Sequence, residues 1–119
     1  MRSFLAVLVT VALVGSCHYG VADISAVPDN PTYNKDVYPL YRDHCLVCHS
    51  SPPDRGAPNN FRLDVYDSTD TVLGAMDTAS SAAGDVRVNK MPPAARSGDG
   101  VGPNGLQMLQ KWADNGAPQ

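Results

Sequence analysis

The chain has 119 residues, 43% of them hydrophobic and 18% charged, which is the length of one domain. Its 12 acidic residues, all Asp, outnumber 9 Lys and Arg and no basic tract occurs, so nucleic acid is excluded as a partner and a charged protein partner is expected to present a basic docking face. Ten Gly, ten Pro and 7% aromatics predict helices with long irregular loops rather than a dense aromatic core.

The first predicted element is an export signal. Arg2 precedes an apolar run from Phe4 to Val14, which suits the core of a signal peptide and is shorter than the roughly 20 residues that span a bilayer. The small residues that lead into Cys17 resemble a bacterial lipobox. This resemblance implies cleavage before Cys17 and a lipid on its sulfur. Cleavage after Ala22 and an uncleaved anchor are the alternatives. Every version predicts a mature domain outside the cytoplasm.

Three segments follow from this assignment. Residues 1–16 are predicted as a lipoprotein signal peptide, 17–33 as a flexible tether and 34–119 as the folded domain. The tether prediction depends on the stretch before residue 33, which contains Pro and Asp and has neither a helical nor a strand period. The lipid would anchor the domain on the periplasmic or cell-surface side of a bacterial membrane.

The folded domain is predicted to be all-α, because no run shows sustained strand alternation. Apolar residues at steps of three and four predict a first helix over residues 36–48, with Pro39 in its first turn. A second helix is predicted over residues 68–83, stopped by Gly84. Its inward positions are Val72, Leu73, Met76 and Ala79.

The last predicted helix has the clearest signals. Asn104 is the predicted cap, and Asn115-Gly116 followed by Pro118 predicts the C-terminal end. The apolar stripe between them consists of Leu106, Leu109, Trp112 and Ala113.

The residues from Cys45 to His49 form a C-x-x-C-H motif. Two thiols at the positions of Cys45 and Cys48 can add to the two vinyl groups of one haem while the imidazole of His49 reaches the iron. One covalent haem c is therefore the predicted cofactor. Zinc, a thioredoxin-like dithiol and a plain disulfide are the alternatives. A zinc site would need further ligands, and a thioredoxin-like dithiol would need a βαβ pattern that the sequence lacks. A disulfide is compatible with export.

The chain from about residue 36 to 118 resembles single-haem class I cytochromes c, most closely the planctomycete-type cytochrome c domain. Four motifs accompany C-x-x-C-H in the family's order: Val37-Tyr38-Pro39-Leu40, Arg62-Leu63-Asp64, Lys90-Met91-Pro92-Pro93, and Leu109 with Trp112 and Gly116-Ala117-Pro118. The sequence departs from the family pattern at residues 78–83 and 94–103. The resemblance implies a small helical domain wrapped around one haem.

Met91 is predicted as the second axial ligand, because it is distant from His49 in sequence and two prolines hold its loop extended. Met76 and Met108 lie in helical patterns and are predicted to fill the core. Lys90 would have to lose a proton to bind iron. His44 lies beside the attachment site and is predicted as a helix-face or surface residue.

Residues around the ligands are also predicted. Pro58 resembles the proline whose carbonyl accepts a hydrogen bond from the ligating histidine in related cytochromes. Trp112 is expected in the core, with its indole N–H as a candidate donor to a haem propionate. Arg55 and Arg62 are either propionate partners or solvated surface residues.

The resemblance implies a protein that carries single electrons between redox partners and is not an enzyme. Met and His ligation would raise the reduction potential above that of two His ligands. The alternative function is a haem-binding sensor module, or a fixed haem subunit of a larger oxidoreductase.

Overall fold

The computed structural model describes residues 24–54, 56–92 and 100–119. In these ranges the fold is helical and contains no strand, so the predicted all-α class is confirmed. Helix α1 is Tyr38–His44, α2 is Ala75–Arg87 and α3 is Gly102–Asp114. No helix within those three ranges has both the length and the apolar character needed to cross a membrane.

The first α-helix is shorter than predicted at both ends, Tyr38–His44 instead of residues 36–48. A π-helical turn at Tyr33–Val37 precedes α1 and is fixed by Asp36, whose carboxylate accepts a hydrogen bond from the Thr32 N–H at 2.8 Å. At the other end, the N–H groups of Cys45 and Leu46 both donate to the Tyr41 carbonyl, at 2.7 and 2.9 Å. This shared acceptor interrupts the regular ladder, so the C-x-x-C-H motif lies in turns after α1 rather than inside a helix.

The second helix is shifted toward the C-terminus of its predicted range. The Ser68 hydroxyl accepts a hydrogen bond from the Gly74 N–H at 2.8 Å, which holds residues 68–74 in a loop. Leu73 forms an isolated bridge with Phe61 and is 45% exposed, and Met76 is 37% exposed. The inward placement predicted for both residues is therefore wrong, and small side chains make the contact instead: Ala75, Thr78, Ala79 and Ala83.

The third helix confirms one predicted end and contradicts the other. Asn104 lies within α3, where its side-chain amide donates to the Ile24 carbonyl at 2.6 Å instead of capping the helix. The C-terminal signal is confirmed, because α3 ends at Asp114 and Gly116 has a φ of 83°. A glycine at this position allows the left-handed turn without the penalty that a side chain incurs.

The core contains an aromatic cluster, contrary to the expectation from composition. Trp112 is fully buried between Tyr33 and Tyr41, with ring centroids at 6.0 and 6.3 Å. Tyr38 and Tyr66 pack on Tyr33 at 5.7 and 5.3 Å. The few aromatic side chains therefore stabilise the fold because they are concentrated where the π-helical turn, α1 and α3 meet.

The segment 24–32, here called the strap, packs against the domain although residues 17–33 were predicted as a flexible tether. Ile24 and Val27 contact the core, and Pro31 is fully buried. Lys111 on α3 pairs with Asp29 at 3.2 Å. The packed part of the chain therefore reaches ten residues closer to the N-terminus than the predicted boundary at residue 34.

Candidate functional site

The C-x-x-C-H motif is folded into a compact turn. The N–H groups of Cys48 and His49 both donate to the Cys45 carbonyl, at 3.1 and 2.9 Å. Cys45 and Cys48 are free thiols in the structure, not a disulfide. Val47 is 50% exposed, so this turn reaches the surface of the domain.

A cavity of about 220 Å³ lies beside this turn. The end of α1 and the motif form one wall, the loop before α2 forms a second, and the end of α2 with the following residues forms a third. Most of its lining is apolar. The lining residues are Tyr41, Cys45, His49, Pro58, Phe61, Leu63, Ala82, Asp85, Val86, Lys90 and Met91.

The chain after α2 folds back and brings Met91 to this cavity. Asn89 has a left-handed φ of 57°, which an Asn tolerates better than most residues. The N–H groups of Lys90 and Met91 then both donate to the Asp85 carbonyl, at 2.8 and 3.2 Å. Met91 therefore lines the same cavity as Cys45 and His49, although these residues are far apart in sequence.

The other two methionines predicted as core filler lie outside the cavity lining. Met108 is 4% exposed and belongs to the core, as predicted. Met76 lies on the outer side of α2, so the prediction that it fills the core is wrong. Of these three methionines, Met91 alone has its side chain at the cavity.

The imidazole of His49 is held against the Phe61 ring, with centroids 5.0 Å apart and an interplanar angle of 61°. The Leu63 N–H donates to the His49 carbonyl at 2.9 Å and fixes the backbone there. Burial lowers the pKa of His49, against a smaller opposing effect of a backbone hydrogen bond with Phe61. Its Nδ1 atom is buried and has no hydrogen-bond partner. A neutral imidazole is the form that binds a metal.

Burial raises the pKa of the Cys45 thiol to about 12, and the neighbouring Cys48 acts in the same direction. Redox-active dithiols and zinc-binding thiolates need the opposite shift. Within the described residues, no group of three His, Cys, Asp or Glu side chains could hold a metal ion. Burial thus opposes thiolate formation at Cys45.

The donor set of the cavity fits a haem. Thiol, imidazole and thioether side chains meet around an apolar space, and a buried imidazole nitrogen lacks a partner. Ligand sites usually measure about 300–1,000 Å³, so the described residues enclose only part of such a group. Residues 93–99, which follow the Met91 loop, lie outside the described ranges.

Several surrounding residues have partners other than those predicted. Trp112 is buried as expected, but its indole N–H donates to the Pro118 carbonyl at 2.9 Å rather than being free for a propionate. Arg62 pairs with Asp64, with Nε and Oδ1 2.9 Å apart, and this bond holds the pKa of Asp64 below its usual range. His44 is the last residue of α1 and is buried, which confirms the helix-face alternative and not the surface one.

Pro58 lines the cavity with His49, and its carbonyl accepts a hydrogen bond from the Phe61 N–H at 3.2 Å. The predicted bond between His49 and this carbonyl stays a prediction. Arg55 and Cys17 lie outside the described residues, as does the signal peptide.

The lining residues that the sequence did not predict as parts of the site include Tyr41, Phe61 and Asp85. Tyr41 lies one helical turn before Cys45, and this spacing could have indicated it. Phe61 directly precedes the Arg62-Leu63-Asp64 motif, which is a weaker signal. No sequence signal marks Asp85, because its place at the cavity depends on where α2 ends.

The fold and the site together define a small helical domain in which one thiol, an imidazole and a thioether line one apolar cavity. The second thiol, Cys48, lies in the same turn as Cys45 and His49. No family model matches the chain, and no curated protein or solved structure does. The resemblance to cytochromes c therefore depends on the sequence motifs and on the residues that the fold brings together.

Proposed function

We propose that the protein is an exported single-haem c-type cytochrome that passes single electrons between redox proteins. One observation carries the proposal. Met91, predicted as an axial ligand from sequence, lines the same cavity as Cys45 and His49. An unrelated dithiol turn would have no reason to face a distant thioether across an apolar space.

Each side chain has a distinct part in holding the cofactor. Cys45 and Cys48 would form the thioether bonds, while His49 and Met91 would be the iron ligands. When bound, the haem supplies one-electron chemistry by cycling its iron between ferric and ferrous states. The apolar lining excludes water, and a thioether ligand favours the reduced state and so raises the reduction potential.

The surface charge supports a basic partner. The chain carries a net charge of −3, and Val47 leaves an apolar side chain exposed between the two motif cysteines. A small exposed apolar contact on a chain of net negative charge suits a brief encounter with a basic redox protein. Electron transfer at this surface needs no substrate pocket. We therefore propose that the protein is an electron carrier without enzymatic activity.

The chain between Cys17 and the strap is short, which would hold the folded domain near the membrane. With a lipid on Cys17, the chain from Cys17 to Ile24 would span at most about 25 Å when fully extended. The folded domain would therefore stay close to the bilayer surface, within reach of membrane-bound redox partners.

The test is the spectrum of the full chain, expressed with export and c-type haem maturation. We expect covalent haem by pyridine haemochrome assay, and a Met–Fe charge-transfer band in the oxidised protein. Replacing both Cys45 and Cys48 by Ala should remove the covalent haem, and the small core should then fail to fold.

Cys17→Ala is the matched control, because it removes the third cysteine and leaves the motif intact. It should retain the full haem content. A wild-type protein that is folded, carries two free motif thiols and holds no haem would overturn the proposal. Release of the Met91 ligand on reduction or on binding of a gas would favour the sensor alternative.

A further inference from the structure

Tyr41 lines the cavity and carries a buried hydroxyl group without a hydrogen-bond partner. Its side chain is 1% exposed, it lines the cavity, and its Oη atom is buried. Two other tyrosines of the aromatic cluster differ from it. Tyr33 donates to the Leu63 carbonyl at 2.8 Å and Tyr66 donates to the Ala117 carbonyl at 2.7 Å.

The position of the Tyr41 ring is fixed on two sides. Its backbone carbonyl accepts the hydrogen bonds that end α1, and its ring packs edge-on against Trp112 with centroids 6.3 Å apart. The hydroxyl itself is buried away from bulk water. A buried hydroxyl without a partner destabilises a protein, and Phe would fill the same space without this cost.

Tyr41 also remains a donor. Burial raises its pKa, and the nearby Cys45 thiol acts in the same direction, so the hydroxyl stays protonated throughout the neutral range. The titratable groups that share the cavity with it are Cys45, His49, Asp85 and Lys90. Asp85 already pairs with Lys90 at 3.4 Å.

We propose that Tyr41 is a positioning residue whose hydroxyl donates a hydrogen bond to an oxygen acceptor that enters the cavity with the bound cofactor. The inference rests on the proposed function. The acceptor is either a carboxylate of the cofactor or a water molecule held beside it, and both offer the same oxygen lone pair.

The test compares Tyr41→Phe with Tyr33→Phe in the full-length, haem-loaded protein, and measures the reduction potential. Removing a donor leaves the acceptor oxygen richer in electrons, which favours ferric iron. Tyr41→Phe should therefore lower the reduction potential. Tyr33 does not line the cavity and Tyr33→Phe loses only its bond to the Leu63 backbone carbonyl, so it should lower the urea midpoint and leave the potential unchanged.

An unchanged potential in Tyr41→Phe would overturn the inference, whatever happens to stability. A crystal structure of the loaded protein gives the second test. An acceptor within about 3 Å of the Tyr41 Oη supports the inference and distinguishes a carboxylate from a water, and the absence of any acceptor overturns it. Failure of the proposed function would look different, because the wild-type protein itself would then give no haemochrome.

Discussion

At the scale of single residues, three methionines of the described structure occupy different environments. Met91 lines the cavity, Met108 is 4% exposed in the core and Met76 is 37% exposed. They have the same chemistry, so substitution of each separates ligation from packing. In the haem-loaded protein, Met91→Ala should abolish the Met–Fe charge-transfer band and allow exogenous imidazole to bind, as followed by absorption titration.

Met91→His should lower the reduction potential, since a harder nitrogen donor favours ferric iron. Met108→Ala should leave the spectrum unchanged and cost about 2–5 kcal/mol of unfolding free energy. Met76→Ala should leave the spectrum unchanged and keep the unfolding free energy within about 0.5 kcal/mol of the wild type. If Met108→Ala or Met76→Ala abolished the band while Met91→Ala retained it, the ligand assignment would be wrong.

The site residues that sequence predicts are those with unusual chemistry. Cys45, His49 and Met91 stand out by residue type and by their motifs, and the fold brings them to one cavity. Tyr41 and Phe61 were missed because an aromatic side chain at a site looks the same in sequence as one in a core. In the structure, the Tyr41 hydroxyl is buried without a hydrogen-bond partner, and this feature distinguishes a site residue from a core residue.

At the scale of the elements, the sequence predicts the presence of the three helices better than the residues at which they begin and end. Gly84 was predicted to end the second helix, but it lies inside α2, and Gly74 directly precedes the first residue of α2. Local side-chain bonds decide these positions: Ser68 holds the loop before α2, and Asn104 bonds to the strap instead of capping α3. Such bonds join residues whose proximity depends on tertiary structure, so periodicity alone does not reveal them.

Gly74, directly before α2, and Gly84, inside it, give a matched pair of substitutions. A Cβ on Gly74 would lie 2.5 Å from the Tyr66 carbonyl oxygen and 2.6 Å from that of Asp67, whereas a Cβ on Gly84 would meet nothing within 4 Å. Gly74→Ala should destabilise the protein by about 1–3 kcal/mol through overpacking against backbone. Gly84→Ala should stabilise it by about 0.5–1 kcal/mol, because Ala loses less entropy in a helix.

Urea unfolding followed by circular dichroism measures both variants against the wild type. The same Gly→Ala change should lower the free energy of unfolding at position 74 and raise it at position 84. This difference in sign would identify the local environment as the cause. Equal effects at the two positions would contradict the observed start of α2 and favour the earlier start predicted from the sequence.

At the scale of the whole molecule, the strap couples the N-terminal segment to the C-terminal helix. Asn104 and Asn115 on either end of α3 donate to the carbonyls of Ile24 and Asp29, at 2.6 and 3.2 Å. Beyond the strap, the N–H groups of Tyr33 and Asn34 donate to the carbonyls of Pro118 and Gln119. The N-terminal part of the packed chain is thus fastened along the length of α3, and the folded unit begins at the strap.

Both predicted cleavage positions leave this unit whole. Cleavage before Cys17 retains a short segment ahead of the strap, and cleavage after Ala22 would begin the mature chain at Asp23, one residue before Ile24. The choice between them should therefore alter membrane attachment and leave folding unchanged. We expect mass spectrometry of the native protein to find a lipidated Cys17 at its N-terminus.

Cys17→Ala should prevent lipid attachment and release the protein from the membrane fraction, because the lipid chains supply the hydrophobic anchor. Its thermal midpoint and haem content should match the wild type, since the strap contacts of α3 are intact. A wild-type chain that starts at Asp23 and is found in the soluble fraction would contradict the lipid anchor. A loss of thermal stability in Cys17→Ala would instead contradict the conclusion that the folded unit begins at the strap.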